Sequence, residues 1–417
     1  MSQPKVPTNT KALSTLVMVF FFWGFIAASN SIFIPFCKTH FNLNQFQSQL
    51  IGSAFYGSYF LGSLILFLIS NWLGTDILNK IGYKKGIIYG LWISVVGALL
   101  IIPSANANSF PAILASFFVV ALGFSLQQTA AQPFAVALGD PSTGTHRLNL
   151  GGSVNSFGTT LGPIIVSLFL FGSVNNKNAE VTVTNINTLY LIVAGVFAAV
   201  ALFFTFSKLP AGTNDEPIEK ENKAAWSLGI MAILILLYIL IGLFTPTQKI
   251  YLLILTMISV VGILLWSNSS ATKDPEGWGA MKYQQLIYGM IGIFVYVGVE
   301  VTIDNNFGAL LKTPGYLTDM GLDESKISKY ISLYWGSLMI GRWTGAISVF
   351  NLSQSAKRIA TVIVPLVAFS IILFVNRLYG NDITDLIPYV ICILVAVAAF
   401  FYGQEKPVKT LLTVAIL

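Results

Sequence analysis

The chain has 417 residues, of which 55% are hydrophobic and only 10% are charged, whereas a soluble protein carries about 25% charged residues. This composition excludes a soluble globular protein. Apolar runs of about 20 residues recur along the whole length, and each is long enough to cross a bilayer as a helix. The runs do not alternate polar and apolar residues, which excludes a β-barrel. The sequence therefore predicts an all-α polytopic membrane protein.

The charges and the reactive side chains are scattered. The net charge of +6 is spread over the loops between apolar runs, so it does not indicate nucleic-acid binding. Cys37 and Cys392 lie far apart, and His40 and His146 are isolated, so neither a disulfide framework nor a metal site is predicted. The ionisable cluster that an enzyme needs is missing. We expect no enzyme, no metal and no cofactor.

Twelve segments are long enough to be membrane helices, at residues 13–36, 49–73, 86–104, 109–138, 149–174, 187–207, 227–245, 249–267, 284–311, 328–350, 358–376 and 386–402. They predict an N-terminal six-helix bundle at 1–207, a cytoplasmic linker at 208–226, an accessory transmembrane hairpin at 227–268 and a C-terminal bundle at 269–417. With the N-terminus inside, most of the 23 Lys and Arg residues, Arg342 among them, fall on the cytoplasmic side. We expect a multi-pass protein of the inner membrane with a cytoplasmic N-terminus.

Polar side chains interrupt several of these spans. Asn30 lies in the otherwise apolar first span and needs a partner inside the protein. Gln128 and Gln132 share one face of the fourth span, and Asn155 and Thr159 share one face of the fifth. Such faces can hydrogen-bond helices to each other or bind a polyhydroxylated ligand. We favour the ligand, because amides, hydroxyls and aromatic rings together can replace its water.

Two loops carry further information. The loop GTDILNKIGYKKG, residues 74–86, resembles the signature loop of major facilitator transporters, with Lys80, Gly82 and Lys84 matching and Asn79 replacing the usual Asp. In that family the loop links neighbouring helices at the cytoplasmic face. The charged stretch at 210–226 indicates a solvated linker. The hairpin after it is nearly pure hydrocarbon, so we expect a lipid-facing, accessory role with no buried polar residue.

Glu300 lies deep inside the apolar run that begins at Leu286. A central acidic residue costs roughly 2.5 to 3.5 kcal/mol, so a protein that keeps one usually buries it in a bundle or a wet cavity and uses it. Burial away from a cation would favour loading and release of a proton, whereas a nearby cation would argue the reverse. Structural hydrogen bonding is the alternative role. In a sodium-coupled protein, Glu300 with Asn305 or Asn306 would supply oxygen ligands.

Several motifs together are similar to the fucose:proton symporter family of major facilitator transporters, and within it to the glucose/galactose type. They are WGFIAASNSIFIP, SAFYGSYF, GYKKGIIYGL, LQQTAAQPF, RLNLGGSVNSFGTTLGP and FVYVGVEVTI. The resemblance implies a major facilitator fold, in which two pseudo-repeated helical bundles surround a central sugar cavity, here with an extra helix hairpin. Ser31 and Gln128 replace the two family acids, while Glu300 matches the glutamate of the glucose/galactose type. Gln132 and Gly152 also depart from the fucose-type pattern.

The resemblance implies a secondary active transporter that moves a hexose such as glucose or galactose by alternating access, coupled to protons. A sodium-coupled symporter, a passive sugar facilitator and a non-transporting membrane receptor remain as alternatives. We expect Glu300 to carry the coupling proton and to line the sugar site together with Asn30, Gln128, Gln132 and Asn155. The expected partners are a small sugar and the lipid bilayer, with no nucleic acid, and the expected state is a monomer.

The closing segment LLTVAIL is too short to span a membrane, while family members carry further helices. We therefore expect that C-terminal helices of the second bundle are missing from this sequence, and that a chain ending at Leu417 does not transport.

Overall fold

The computed structural model describes residues 7–171, 183–210, 220–244, 249–312, 314–315, 324–347, 352–378 and 380–403. These residues form helices joined by short connections. The helices are α1 Thr10–His40, α2 Gln45–Leu73, α3 Ile77–Ile81, α4 Tyr83–Asn106, α5 Phe110–Ala137, α6 Gly144–Phe171, α7 Val183–Phe206, α8 Asn222–Phe244, α9 Lys249–Lys273, α10 Gln284–Lys312, α11 Glu324–Ala346, α12 Gln354–Leu378 and α13 Val390–Gly403.

Each of the predicted spans overlaps one of these helices, so the helical membrane fold is confirmed. Nine helices within the described residues are long and apolar enough to cross a membrane. The fifth span was predicted to begin at residue 149, but α6 begins at Gly144. The reason is local: the Asp140 side chain accepts from the Ser142 amide at 2.9 Å and starts a 3-10 turn, Pro141–Thr143, that leads directly into α6.

The N-terminal half, α1 to α7, is built around α4 and α5. Apolar side chains that are fully or almost fully buried form its core, including Leu91 on α4, Phe124 on α5 and Phe197 on α7. The rings of Phe124 and Phe197 meet edge to face, with their centroids 5.5 Å apart. The packing of these rings fixes α5 against α7.

Helix α6 lies against α1 through a glycine-rich face. A Cβ atom at Gly158 would overlap the carbonyl oxygen of Phe21, and one at Gly162 would overlap that of Phe25. On the facing helix, a Cβ at Gly24 would overlap the Asn155 carbonyl oxygen. Small residues of this kind let two membrane helices bring their backbones into contact. The contact between α1 and α6 therefore depends on the absence of side chains at these positions.

Basic side chains cap the ends of two helices. Arg147, only 1% exposed, donates from Nε to the Ala135 carbonyl at 2.7 Å and from NH2 to the Val136 carbonyl at 2.6 Å, at the end of α5. Lys84 Nζ donates to the carbonyls of Thr205, at 3.1 Å, and Ser207, at 2.8 Å, at the end of α7. Both cations satisfy carbonyl groups that have no partner within their own helix. Lys84 thus links two helices, as the resemblance of its loop implies.

The hairpin of α8 and α9 contains a buried polar contact, so the prediction that it has none is wrong. Ser267 Oγ donates to Ser227 Oγ at 3.0 Å, and both side chains are buried. Each hydroxyl satisfies the other, which explains why the two serines are tolerated between apolar helices. Large apolar side chains, among them Leu255 and Ile258, point outward, in keeping with the predicted lipid-facing role.

The hairpin is attached to α2 at one end. Asn71 donates from its amide nitrogen to the Asn222 side chain at 3.2 Å, and its oxygen accepts from the Glu221 amide at 2.6 Å. Lys223, in the first turn of α8, pairs with Asp274, which directly follows the last residue of α9, at 2.5 Å. The hydrogen bond and the charge of Lys223 hold the pKa of Asp274 below its usual range. These contacts tie the start of α8 to the end of α9.

The C-terminal half, from α10 to α13, has a smaller apolar core. Met339 on α11, Phe369 and Ile372 on α12 and Ile393 on α13 are its buried members. Gly336 leaves room for the Ile372 side chain, because a Cβ at that position would overlap it. Phe157 of α6 packs against this core, so the core reaches the N-terminal half.

Replacing Gly158 with alanine is expected to destabilise the protein by about 1–3 kcal/mol, because the added methyl group overpacks the contact with α1. Gly195→Ala in α7 is the matched control: nothing lies within 4 Å of its Cβ position, and alanine is the better helix former. Thermal unfolding in detergent measures both variants. If Gly158→Ala were as stable as the unmodified protein, the close contact of α1 with α6 would be disproved.

Candidate functional site

Helices α6 and α11, which belong to opposite halves, meet along a polar stripe that we call the α6–α11 seam. Ser153 Oγ donates to the Arg342 carbonyl at 2.9 Å, and Trp343 Nε1 donates to the Ser153 carbonyl at 3.0 Å. Farther along α6, Thr160 Oγ1 lies 3.5 Å from Met339 Sδ. Neither helix is among the nine apolar spans of the described residues. The two helices therefore share polar contacts along the seam.

Glu300 lies beside this seam. Its Oε1 is 3.4 Å from Arg342 NH2, and its side chain is only 10% exposed, against 34% for Arg342. Tyr334 Oη donates to the Glu300 carbonyl at 2.9 Å, and Arg342 NH1 donates to Ser156 Oγ at 3.1 Å. One guanidinium group thus contacts α10 and α6 at the same time. Its positive charge offsets part of the cost of burying the Glu300 carboxylate.

The sequence predicts Arg342 in the second half of the span 328–350, on the cytoplasmic side, but it does not predict that Arg342 pairs with Glu300. Arg342 lies within α11, four residues before its end at Ala346, and its side chain turns toward α6 and α10. Glu300 is consequently not buried away from a cation, which was the condition attached to its proton-loading role. Burial disfavours the ionised carboxylate, while Arg342 favours it. The two influences on the protonation of Glu300 therefore oppose each other.

Gln127, a buried glutamine in α5, was not singled out from the sequence. Gln127 is 1% exposed. It accepts from Trp23 Nε1 at 3.1 Å and donates to Ser94 Oγ at 3.1 Å, so it joins α5 to α1 and α4. The signal was present in the sequence, because Gln127 falls at helical spacing on a stripe of residues that are otherwise apolar and buried, namely Val120, Phe124, Ala131 and Phe134.

The neighbouring glutamines that were predicted to bind sugar lie differently. Gln128 is half-buried, and its side chain approaches the hydroxyl group of Tyr59 on α2. Gln132 is exposed. Neither amide is part of the packing that holds Gln127. Both can therefore serve a ligand without disturbing the contacts of Gln127 with Trp23 and Ser94.

Asn155 makes a contact between helices. Its amide nitrogen donates to the Phe20 carbonyl at 3.0 Å, inside the close contact of α6 with α1. Among the described side chains, Gln128, Gln132, Asn155 and Glu300 form no hydrogen bonds to one another. The polar faces predicted on the fourth and fifth spans therefore do not contact each other directly through these side chains. Asn30, Asn305 and Asn306 lie outside the described side chains.

A cavity of about 430 Å³ lies between α2, α3 and α5. Its polar lining includes Ser63, Ser70, Asp76, Thr129 and Glu221. Of the predicted sugar-site residues whose side chains are described, Gln128, Gln132, Asn155 and Glu300, none lines it. Within the described residues, no group of three or more His, Cys, Asp or Glu side chains is placed to hold a metal ion.

Replacing Gln127 with alanine is expected to cost about 1–3 kcal/mol of stability, because the Trp23 indole and the Ser94 hydroxyl each lose a buried partner. Gln132→Ala, on the same helix but exposed, is the control and should unfold at the temperature of the unmodified protein. Thermal unfolding in detergent compares the two. Equal stability of both variants would mean that Gln127 does not hold these helices together.

The comparisons with known proteins agree with this architecture. The model of the Major Facilitator Superfamily matches residues 14–404. A glucose/galactose transporter of Brucella abortus biovar 1 (strain 9-941) is 30% identical over 335 residues, which cover 80% of this chain and 66% of that protein. The chain therefore spans slightly less than two thirds of the relative's length.

Two further matches concern fucose transport. The L-fucose-proton symporter of Escherichia coli K12 is 31% identical over 233 residues, covering 52% of this chain and 51% of that protein. The crystal structure of a variant of the E. coli fucose:proton symporter aligns with a TM-score of 0.53 at 21% identity, over 88% of this chain and 81% of that chain. The structural match concerns the fold. Because the family model covers nearly the whole chain, the chain belongs to the Major Facilitator Superfamily, a family of membrane transporters and not of enzymes.

Proposed function

We propose that the protein is a secondary active transporter that moves a hexose such as glucose or galactose across the inner membrane by alternating access, driven by protons, with its N-terminus in the cytoplasm. The names of the relatives support the substrate class, since they are a glucose/galactose transporter and an L-fucose-proton symporter. The chain covers only part of each relative, so the proposal concerns the natural full-length protein.

The observation that carries the proposal is the position of Glu300. It is a carboxylate with 10% exposure in the middle of an apolar helix, next to the contact between the two halves. Alternating access requires that this contact change during the cycle. A titratable group placed there can bias the two states, because its charge alters the contacts of Arg342. Glu300 is accordingly proposed as the proton-coupling residue.

The sugar site is proposed to include Glu300 together with Asn30, Gln128, Gln132 and Asn155. Gln128 and Gln132 support the proposal because they lie outside the buried network of Gln127. Asn155 already donates one hydrogen bond to α1, so it would offer the sugar its remaining polar capacity. Removing an amide that binds a sugar hydroxyl would leave that hydroxyl without a hydrogen-bond partner.

Uptake of labelled sugars into proteoliposomes tests the function. We expect glucose or galactose to accumulate when a proton gradient is imposed. Gln128→Ala should weaken sugar binding by about 1–3 kcal/mol, because a buried hydrogen bond is lost. A sodium gradient that alone drives uptake would favour sodium coupling, and uptake without accumulation would favour a passive facilitator. Sugar binding without movement would favour a receptor.

Glu300→Gln tests the coupling role, because glutamine keeps the size and hydrogen bonding of the side chain but is always neutral. We expect exchange of sugar between equal pools to survive and accumulation against a gradient to be lost. The two assays should be made on the same proteoliposomes, with Gln284→Ala in the exposed first turn of α10 as control. A Glu300→Gln protein that still concentrates sugar in response to a pH gradient would refute the assignment.

A further inference from the structure

Arg342 is the described residue whose side chain joins Glu300 to the opposite half of the protein. Its NH2 group lies 3.4 Å from Glu300 Oε1 on α10, and its NH1 group donates to Ser156 Oγ on α6 at 3.1 Å. Its backbone carbonyl also accepts from Ser153 Oγ on α6 at 2.9 Å. The main chain and the side chain of Arg342 therefore both bind α6.

The geometry of the guanidinium group couples these contacts. Its nitrogen atoms form a planar, rigid fork, so a contact of NH2 with Glu300 sets the direction in which NH1 points. The attraction to Glu300 depends on the charge of the carboxylate. When the carboxyl group is neutral, its contact with the fork loses the charge that strengthens it, so the fork is held less firmly toward Ser156.

The path of the Arg342 side chain is open because of a glycine. A Cβ atom at Gly152 on α6 would lie 4.0 Å from Arg342 Cδ, so a single methyl group fits and a longer side chain would displace the arginine. Gly152 was noted in the sequence as a departure from the fucose-type pattern. Its small size lets the guanidinium group pass along α6 to reach both partners.

The charged and titratable groups around Glu300 are few among the described residues. Helix α11 brings Arg342, together with Tyr334, whose hydroxyl binds the Glu300 carbonyl. Helix α6 brings the Ser156 hydroxyl, which does not titrate in this range. Helix α9 and the turn before α10 contact α10, where Ile287 and Ile291 of its first part pack with them. The cations of these two elements, Lys273 and Lys282, lie at the end of α9 and in the turn itself. Arg342 is thus the charge that faces the carboxylate.

We propose that Arg342 is a positioning residue that makes the strength of the α6–α11 seam depend on the charge of Glu300. With Glu300 ionised, Arg342 is held between α10 and α6 and the seam is closed. With Glu300 protonated, Arg342 is released from Ser156 and the seam loosens. This inference rests on the proposed titration of Glu300 during transport. It adds that the Arg342 side chain transmits the change in the charge of Glu300 to α6 in the N-terminal half.

Amide hydrogen exchange of α6 and α11 in detergent, corrected for the intrinsic effect of pH on exchange, measures the seam without any sugar. For the unmodified protein we expect exchange in both helices to rise as pH falls, by about fivefold or more, the lower end of usual coupling between sites. We call this rise the pH step. Glu300→Gln and Arg342→Gln should both show fast exchange at every pH, without the pH step. Arg377→Gln, in the exposed last turn of α12, is the matched control and should keep the step.

Three milder variants decide the matter if Arg342→Gln does not fold. Ser156→Ala keeps both charges but removes the partner on α6, so the pH step should shrink. Gly152→Leu should also shrink the step by displacing the arginine, whereas Gly152→Ala should leave it unchanged. An unmodified protein without a pH step, or an Arg342→Gln or Ser156→Ala protein with the full step, would overturn the inference. None of these outcomes depends on the sugar assay, so the two proposals can fail separately.

Discussion

Polar groups inside an apolar bilayer have no water to bind, and the rest of this structure depends on how they find partners within the protein. Arg147 satisfies the carbonyls at the end of α5, and Gln127 pairs with Trp23 and Ser94. Ser227 and Ser267 satisfy each other in the hairpin. Each of these contacts joins two helices, and in the pair of Gln127 with Trp23 the two residues are 104 positions apart in the sequence. The need to satisfy polar groups therefore helps to hold neighbouring helices together.

Helix α6 is where this constraint has the largest effect. One face has glycines and lies directly on the backbone of α1, and another has Ser153, Ser156 and Thr160 and lies on α11. The first contact depends on shape and is insensitive to pH. The second depends on hydrogen bonds and one arginine, so it responds to charge. A helix that is fixed to its own half and adjustable toward the other is suited to a protein whose halves move against each other.

Glu300 connects this arrangement to the proposed function. A buried carboxylate beside an arginine has two competing influences, since burial favours the neutral form and the cation favours the charged form. Such a balance is useful for coupling because a modest change in surroundings can change the protonation state. The amides of Gln128 and Gln132 lie outside the buried network of Gln127, Gln132 exposed and Gln128 beside the Tyr59 hydroxyl, and both are proposed to bind sugar. Glu300 lies on α10, whereas the proposed sugar-binding amides Gln128 and Gln132 lie on α5.

The sequence by itself determined the class of protein, the approximate place of the helices and the presence of an acid, Glu300, inside an apolar helix, because hydrophobic length and a lone acid in an apolar run are local signals. The resemblance of several motifs added the family. Only the tertiary structure decided that Arg342 pairs with Glu300, that Gln127 and not Gln128 is the buried amide, and that Asn155 binds α1. Periodicity shows which residues share a helix face, but it does not show which helix lies opposite. Partners such as Arg342 and Glu300 are 42 residues apart in the chain and meet only through packing.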